Sequence, residues 1–209
     1  MARKVFIFYG PPGAGKGTQA AKIAEEFGYV HFDSGKYIEK FINDPKNKNS
    51  AVAKRERAKF MSGKLCTTSW LVRIVSKEVK ELDHKNQGIV FSGSPRTKEE
   101  AFGADGEKGG LVRLLGKLYG LENIFVFFLD IPVEESVKRN SKRGRPGLDE
   151  PAVIRVRYRE YRKMTFPIAK EMKKFGLKVI HIDGSPSVSA ITKEVKKNLR
   201  DLGVKPSNS

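Results

Sequence analysis

"GPPGAGKGTQA", residues 10–20, directly follows the apolar run "VFIFY", residues 5–9. An unbroken apolar run closed by glycine is the pattern of a strand buried on both faces. "KGTQAAKIAEEFG" then has helical spacing and stops at Gly28. Gly10, Gly15 and Lys16 fit G-x-x-x-x-G-K, set between that strand and that helix. The glycines let backbone N–H groups turn inward around phosphate oxygens, and the helix aims the positive end of its dipole at them. Lys16 can reach the outer phosphates as a mobile point charge. A glycine-rich turn with no ligand is the bland alternative, and the agreement of motif with context speaks against it. The hydroxyl residue usual directly after the lysine is displaced by one, because Gly17 precedes Thr18.

Outward from this stretch, strand and helix patterns alternate. "YVHFD" (residues 29–33) reads as a second strand. "GIVFSG" (88–93), "NIFVFFLDI" (123–131) and "LKVIHID" (177–183) repeat the buried-strand signature. The alternation predicts an α/β fold with a parallel sheet covered on both sides. Residues 36–82 form a long, mostly helical excursion, broken by the polar stretch "NDPKNKNS" (43–50). "KRGRPGLDEP" (142–151) is a basic Gly/Pro connection, and "GADGEKGG" (103–110) is expected to be a flexible loop. The tail beginning at Gly203 is expected to be disordered.

The chain has 209 residues, enough for one sizeable core and compatible with a single domain over 1–209. It carries 41 Lys+Arg against 24 Asp+Glu, a formal charge of +17, which suits anionic partners without choosing among them. Cys66 is the only cysteine, so neither an internal disulfide nor a cysteine-based zinc site can form. A reducing cytoplasm is compatible with this. The first residues are not expected to form an export signal, since the apolar run ends at Gly-Pro-Pro. No apolar segment is long enough to span a bilayer.

"GPPGAGKGTQA" resembles the opening motif of adenylate kinases and related nucleoside monophosphate kinases. The resemblance runs through residues 4–195. "DSGKYI" (33–38) is similar to that family's Thr-Gly-Asp segment, "SGKLCTTSWL" (62–71) to its Gly-Lys-Leu-Val segment, and "SGSPRT" (92–97) to its Asp-Gly-Phe-Pro-Arg-Thr. "KRNSKR" resembles a helix carrying two lid arginines, "RVRYREYRKMTFPI" (155–168) the helix after the lid, and "HIDGS" the last strand and its turn. The resemblance implies a three-layer α/β/α P-loop fold with a five-stranded parallel sheet. It also implies a monophosphate-binding insertion over 34–82 and a very short lid over 142–151, without the zinc-binding lid.

The implied activity is phosphoryl transfer from Mg·ATP to AMP, giving two ADP, by a cytoplasmic monomer. ATP is expected on Gly13, Ala14, Gly15, Lys16, Gly17 and Thr18, with Arg139 and Arg143. AMP is expected against Ser34, Gly35, Lys36, Lys64, Leu65, Cys66, Gly93, Arg96, Glu100, Arg145 and Arg157. Lys16, Arg96, Arg143, Arg145 and Arg157 would stabilise charge on the moving phosphoryl group. Arg139 and Arg143 share a helix face, which can equally be a solvated basic face. Lys138 and Lys142 are read as solvated. Asp149 and Glu150 stand for the family's aspartate pair, and they also suit a helix N-terminus. Rival readings are a kinase for GMP, CMP or UMP, and a nucleotide- or nucleic-acid-binding protein with little turnover.

This chain departs from the family at four positions. Glu39 stands for an arginine that grips the AMP phosphate, with Lys36 and Lys40 as possible substitutes. Ser34 stands for a threonine and Glu100 for a glutamine, both at the adenine. Ser92 stands for the aspartate that steadies Mg²⁺. Asp33, at the end of the neighbouring predicted strand, is the expected replacement through water; capping of the next helix is its alternative role. Thr18 is a weaker candidate ligand.

Overall fold

One parallel sheet organises the chain. Its strands are β1 (Val5–Tyr9), β2 (Val30–Asp33), β3 (Ile89–Ser92), β4 (Ile124–Asp130) and β5 (Lys178–Asp183), in spatial order β2-β3-β1-β4-β5. The computed structural model describes residues 3–104 and 109–206. Around the sheet lie α1 (Lys16–Phe27), α2 (Ser34–Asn43), α3 (Ala51–Met61), α4 (Thr68–His84) and α5 (Lys98–Phe102). They are followed by α6 (Leu111–Tyr119), α7 (Val133–Arg143), α8 (Pro151–Glu160), α9 (Ile168–Lys174) and α10 (Val188–Asp201).

Alternation along β1 generates the three layers. Val5, Ile7 and Tyr9 join Ile89, Phe91, Val126 and Phe128 on one face, beneath residues of α4, α6 and α9. Phe6 and Phe8 join Val90, Phe125, Phe127 and Leu129 on the other, beneath α1 and α10. Burial of both faces is why these strands read as continuous apolar runs. β5 departs from the expectation of a buried strand. It is a sheet edge, and Lys178, His181 and Asp183 are exposed.

Residues between β2 and β3 fold as α2, α3 and α4, with a short 3₁₀ turn (Pro45–Asn47) inside the expected polar loop. Glu56, fully buried on α3, accepts from the Thr67 backbone N–H (2.8 Å) and hydroxyl (2.6 Å) and from Arg55 (2.7 Å). A buried carboxylate needs such partners, and these fix α3 to the start of α4. Trp70 on α4 packs against Phe41 on α2, ring centroids 5.1 Å apart.

The helix after the expected lid is not uniform. α8 passes into a π-helical turn (Tyr161–Thr165), where the Phe166 N–H reaches the Tyr161 carbonyl at 2.8 Å. Pro167 follows directly. Proline has no N–H to give the helix and its ring crowds the carbonyl four residues back, so a widened turn accommodates it. The tail also departs from expectation, since Val204 is buried against the α1–α10 layer. Residues 207–209 of that stretch, and 105–108 of the expected 103–110 loop, lie outside the described residues.

Candidate active site

The C-terminal ends of β1, β2 and β3 open into a cleft of about 700 Å³. Gly10 to Gly15 bridge β1 and α1, and no side chain caps the start of α1, whose first turn begins at Lys16. Its leading N–H groups therefore face the cleft without a side-chain acceptor, the condition for holding an anion. Gly13 is required twice over. Its φ is +79°, and a Cβ there would come within 2.7 Å of Asn140 Nδ2 on α7. Ser136 and Arg139, also on α7, hold the loop from behind. The Ser136 hydroxyl donates to the Pro12 carbonyl (2.6 Å). Arg139 donates to the carbonyls of Gly13 (3.4 Å), Gly184 (2.7 Å) and Ser185 (2.6 Å) and pairs with Glu135 (2.6 Å).

Lys16, Lys36, Lys64, Arg96, Arg139, Arg143, Arg145 and Arg157 all line this cleft; the acids among its lining residues are Asp33 and Glu39. The arginines of the lid region are gathered by one buried carboxylate. Arg143 makes two bonds to Asp149 (2.8 and 2.6 Å). The Arg145 N–H donates to it at 3.0 Å and its guanidinium at 3.4 Å, while Arg157 lies 3.8 Å away. Burial alone would raise the Asp149 pKa, but these donors drive it well below the usual carboxylate range. Burial lowers Arg157 to about 10, with Arg145 and Arg96 adding repulsion.

Arg96 is anchored through its backbone. Its N–H donates to Glu100 Oε2 at 2.6 Å, and its carbonyl accepts from the Thr165 hydroxyl at 2.8 Å. Its Nε donates to the Gly93 carbonyl. Thr165 and Tyr161 both line the cleft, brought there by the π-helical turn. Thr165 is a positioning residue that the sequence reading missed. A proline at the end of an otherwise helical stretch was the available signal.

Most expected site residues meet in the cleft: Gly13, Gly15, Lys16, Gly17, Thr18, Asp33, Gly35, Lys36, Lys64, Leu65, Gly93, Arg96, Arg139, Arg143, Arg145 and Arg157. Ala14, Ser34, Cys66 and Glu100 are buried and are not among its lining residues. Glu100, expected as a base-reading group, is placed beneath the Arg96 backbone. α5 is capped by Thr97, and its first turn carries Glu100 inward, under the Arg96 backbone. Burial raises the Glu100 carboxyl to about 7, opposed by the Arg96 N–H. Cys66 is likewise raised to about 12 by burial and by Glu56, so it is held as the thiol.

At the edge of β2, Asp33 Oδ1 accepts the N–H groups of Gly35 (2.9 Å) and Lys36 (3.1 Å), so the capping role is present. Ser92, its register neighbour on β3, is buried, with its hydroxyl 2.9 Å from His31 Nε2. Among the described residues no group of three His, Cys, Asp or Glu side chains could cage a metal ion.

Lys16 feels the whole cluster. Its ammonium donates to the Pro11 carbonyl at 3.1 Å. Burial, then the charges of Arg96 and Arg157, lower its pKa to about 7, against which Asp33 acts weakly. A polyanion held among these cations would reverse the balance of charge and restore the proton. Binding a nonhydrolysable ATP analogue at pH 8 is therefore expected to take up close to one proton, roughly 0.9 on this pKa. Titration calorimetry in buffers of different ionisation heat measures it, and affinity should fall as pH rises from 7 to 9. For folding stability the sign is opposite. Lys16 contributes stability as pH rises from about 7 toward 10.5, because over that window the unfolded chain holds the proton.

The adenylate kinase family model matches residues 8–177. An adenylate kinase of Kosmotoga olearia is 32% identical, covering 94% of this chain and 99% of its own. One from Petrotoga mobilis is 30% identical over 94% and 97%, and one from Prochlorococcus marinus (strain MIT 9515) 30% over 94% and 99%. A glycine-rich loop after the central strand, a convergent set of arginines and a match over most of the chain lead to one conclusion: this chain belongs to the adenylate kinase family.

Proposed function

We propose that this protein catalyses Mg·ATP + AMP ⇌ 2 ADP. The observation that carries the reading is the convergence of eight lysine and arginine side chains, from several different elements, on one cleft with only two acids among its lining residues. Two nucleotides brought phosphate to phosphate need that charge, and little else, from the protein. ATP would lie with its phosphates on Gly13 to Thr18. Arg139 has all three guanidinium nitrogens engaged by protein acceptors. What it offers the base is chiefly a flat cationic face.

AMP would enter from the side of Gly35, Lys36, Lys64, Leu65 and Gly93, with its phosphate on Arg96. An AMP phosphate oxygen attacks the γ-phosphorus as the bond to the β-phosphate oxygen breaks, and ADP leaves in line. Lys16, Arg143, Arg145 and Arg157 hold the negative charge that builds on the transferring oxygens. Mg²⁺, when bound with ATP, neutralises charge between the phosphates; Thr18 offers it a hydroxyl. Closure of the 34–82 insertion and the 142–151 lid would exclude water. Both nucleotide sites lie within one chain, which supports a monomer. No helix among the described residues is long and apolar enough to cross a membrane, and the lone cysteine suits a cytoplasmic setting.

ADP formation from ATP with AMP, GMP, CMP or UMP, each with and without Mg²⁺, tests the reading. Fast turnover is expected with AMP and Mg²⁺; turnover with another monophosphate and none with AMP would overturn it. Arg96→Met separates the two sites. It should lower kcat/KM for AMP about a hundredfold while leaving ATP affinity close to wild type.

A further inference from the structure

We propose that Asp33 is the carboxylate that steadies the hydrated Mg²⁺ of Mg·ATP, using Oδ2 for the ion while Oδ1 caps α2. The inference rests on the reading of the cleft as the ATP site, and it begins from the two oxygens being unequally used. Oδ1 takes both N–H groups at the start of α2. Oδ2 accepts no hydrogen bond from the described residues, and it lies 3.6 Å from where a Cβ of Gly17 would stand, over the first turn of α1. The free oxygen therefore faces the first turn of α1 at Gly17, and Asp33, Gly17 and Thr18 all line the cleft.

Its surroundings make the position unusual. The cleft lining is crowded with cations, yet no lysine or arginine among the described residues forms an ion pair with Asp33. A carboxylate held toward phosphates without a cation between them would weaken binding. With a divalent ion between them the same charge strengthens it. The alternatives nearby are poorer. Ser92 is neutral and its hydroxyl is engaged by His31. Glu39 lies six residues further along the chain, roughly 9 Å down α2 at 1.5 Å per residue. Mg²⁺ keeps several waters and needs only one or two carboxylates beside the phosphates. A single Asp33 oxygen with the Thr18 hydroxyl, both hard oxygen donors, fits that demand.

The division between oxygens makes the proposal separable from a purely structural role. Asp33→Asn keeps an oxygen for the cap and removes the charge. Calorimetric binding of a nonhydrolysable ATP analogue, with Mg²⁺ and with EDTA, reads the two states. We expect about a tenfold loss of affinity for the Mg²⁺ complex, the order expected for one charge near a hydrated divalent ion in a water-like dielectric. No loss is expected in EDTA, and the melting temperature should stay close to wild type. Mn²⁺ titrated into the protein–analogue complex, followed by its electron paramagnetic resonance signal, should show the same weakening. Asp33→Asn with Ser92→Asp should regain the Mg²⁺-dependent part, since the two positions are register neighbours. Equal losses with Mg²⁺ and EDTA, or unchanged affinity in both, would overturn the proposal. If wild type itself bound no analogue and made no ADP, the reading of the cleft would fail instead.

Discussion

Lys16→Met is expected to slow ADP formation by about three orders of magnitude, with the fold intact. Methionine keeps the apolar stem of the lysine and removes its charge. The ammonium sits inside the cradle, where burial first and the charges of Arg96 and Arg157 second lower its pKa to about 7. Binding of polyphosphate returns the full charge to the point where the moving phosphoryl group gathers negative oxygens. Removing one preorganised donor from such a site costs about a hundredfold to a thousandfold, and a charged one stands at the upper end. Lys16→Arg should recover little, because a planar fork cannot replace a compact charge in a loop closed by glycines. Single-turnover rates with saturating ATP and AMP check the effect. A loss of less than tenfold would remove Lys16 from the chemistry.

Asp149→Asn is expected to lower stability by about 2 kcal/mol and kcat about a hundredfold. The carboxylate is almost wholly buried, while Arg143, Arg145 and Arg157 around it are partly exposed. Breaking a buried pair commonly costs 3–5 kcal/mol, and solvent on the arginine side reduces that. For a chain of this size the change is about 4–8 °C in Tm. Added pyrophosphate should restore most of the loss in the variant and stabilise wild type less, since it supplies the missing anion. The pH dependence has a definite sign. The Asp149 pKa is depressed in the folded state, so its contribution is complete above the ordinary carboxylate range and is lost only as pH falls through that range and below it. Thermal melts across that acid range, with and without the substitution, check it.

The cradle was legible because its signal is local. An apolar run, a glycine-rich turn and a helical period lie side by side in residues 5–28, and each is fixed by backbone sterics. The five strands were legible for the same reason, but their roles in the sheet were not. "KVIHID" has the composition of a core strand and lies at an edge, because strand order is set by long-range pairing. The arginines could be named from resemblance, whereas their common partner could not. Asp149 becomes a hub only when the loop after α7 folds back on it. The partner of Glu100 was not legible either. The place of Glu100 in the chain suggested a base-reading group, and the inward turn of a five-residue helix gave it to the Arg96 backbone.

Trp70 is the only tryptophan in the chain, and its packing against Phe41 places the sole strong near-ultraviolet emitter at the junction of α2 and α4. Intrinsic fluorescence excited at its absorption edge thus reports the inserted helices selectively, leaving the cradle dark. Stopped-flow emission on mixing with AMP alone would test, without any label, the closure proposed for this segment. The same trace recorded with ATP alone would supply its silent reference.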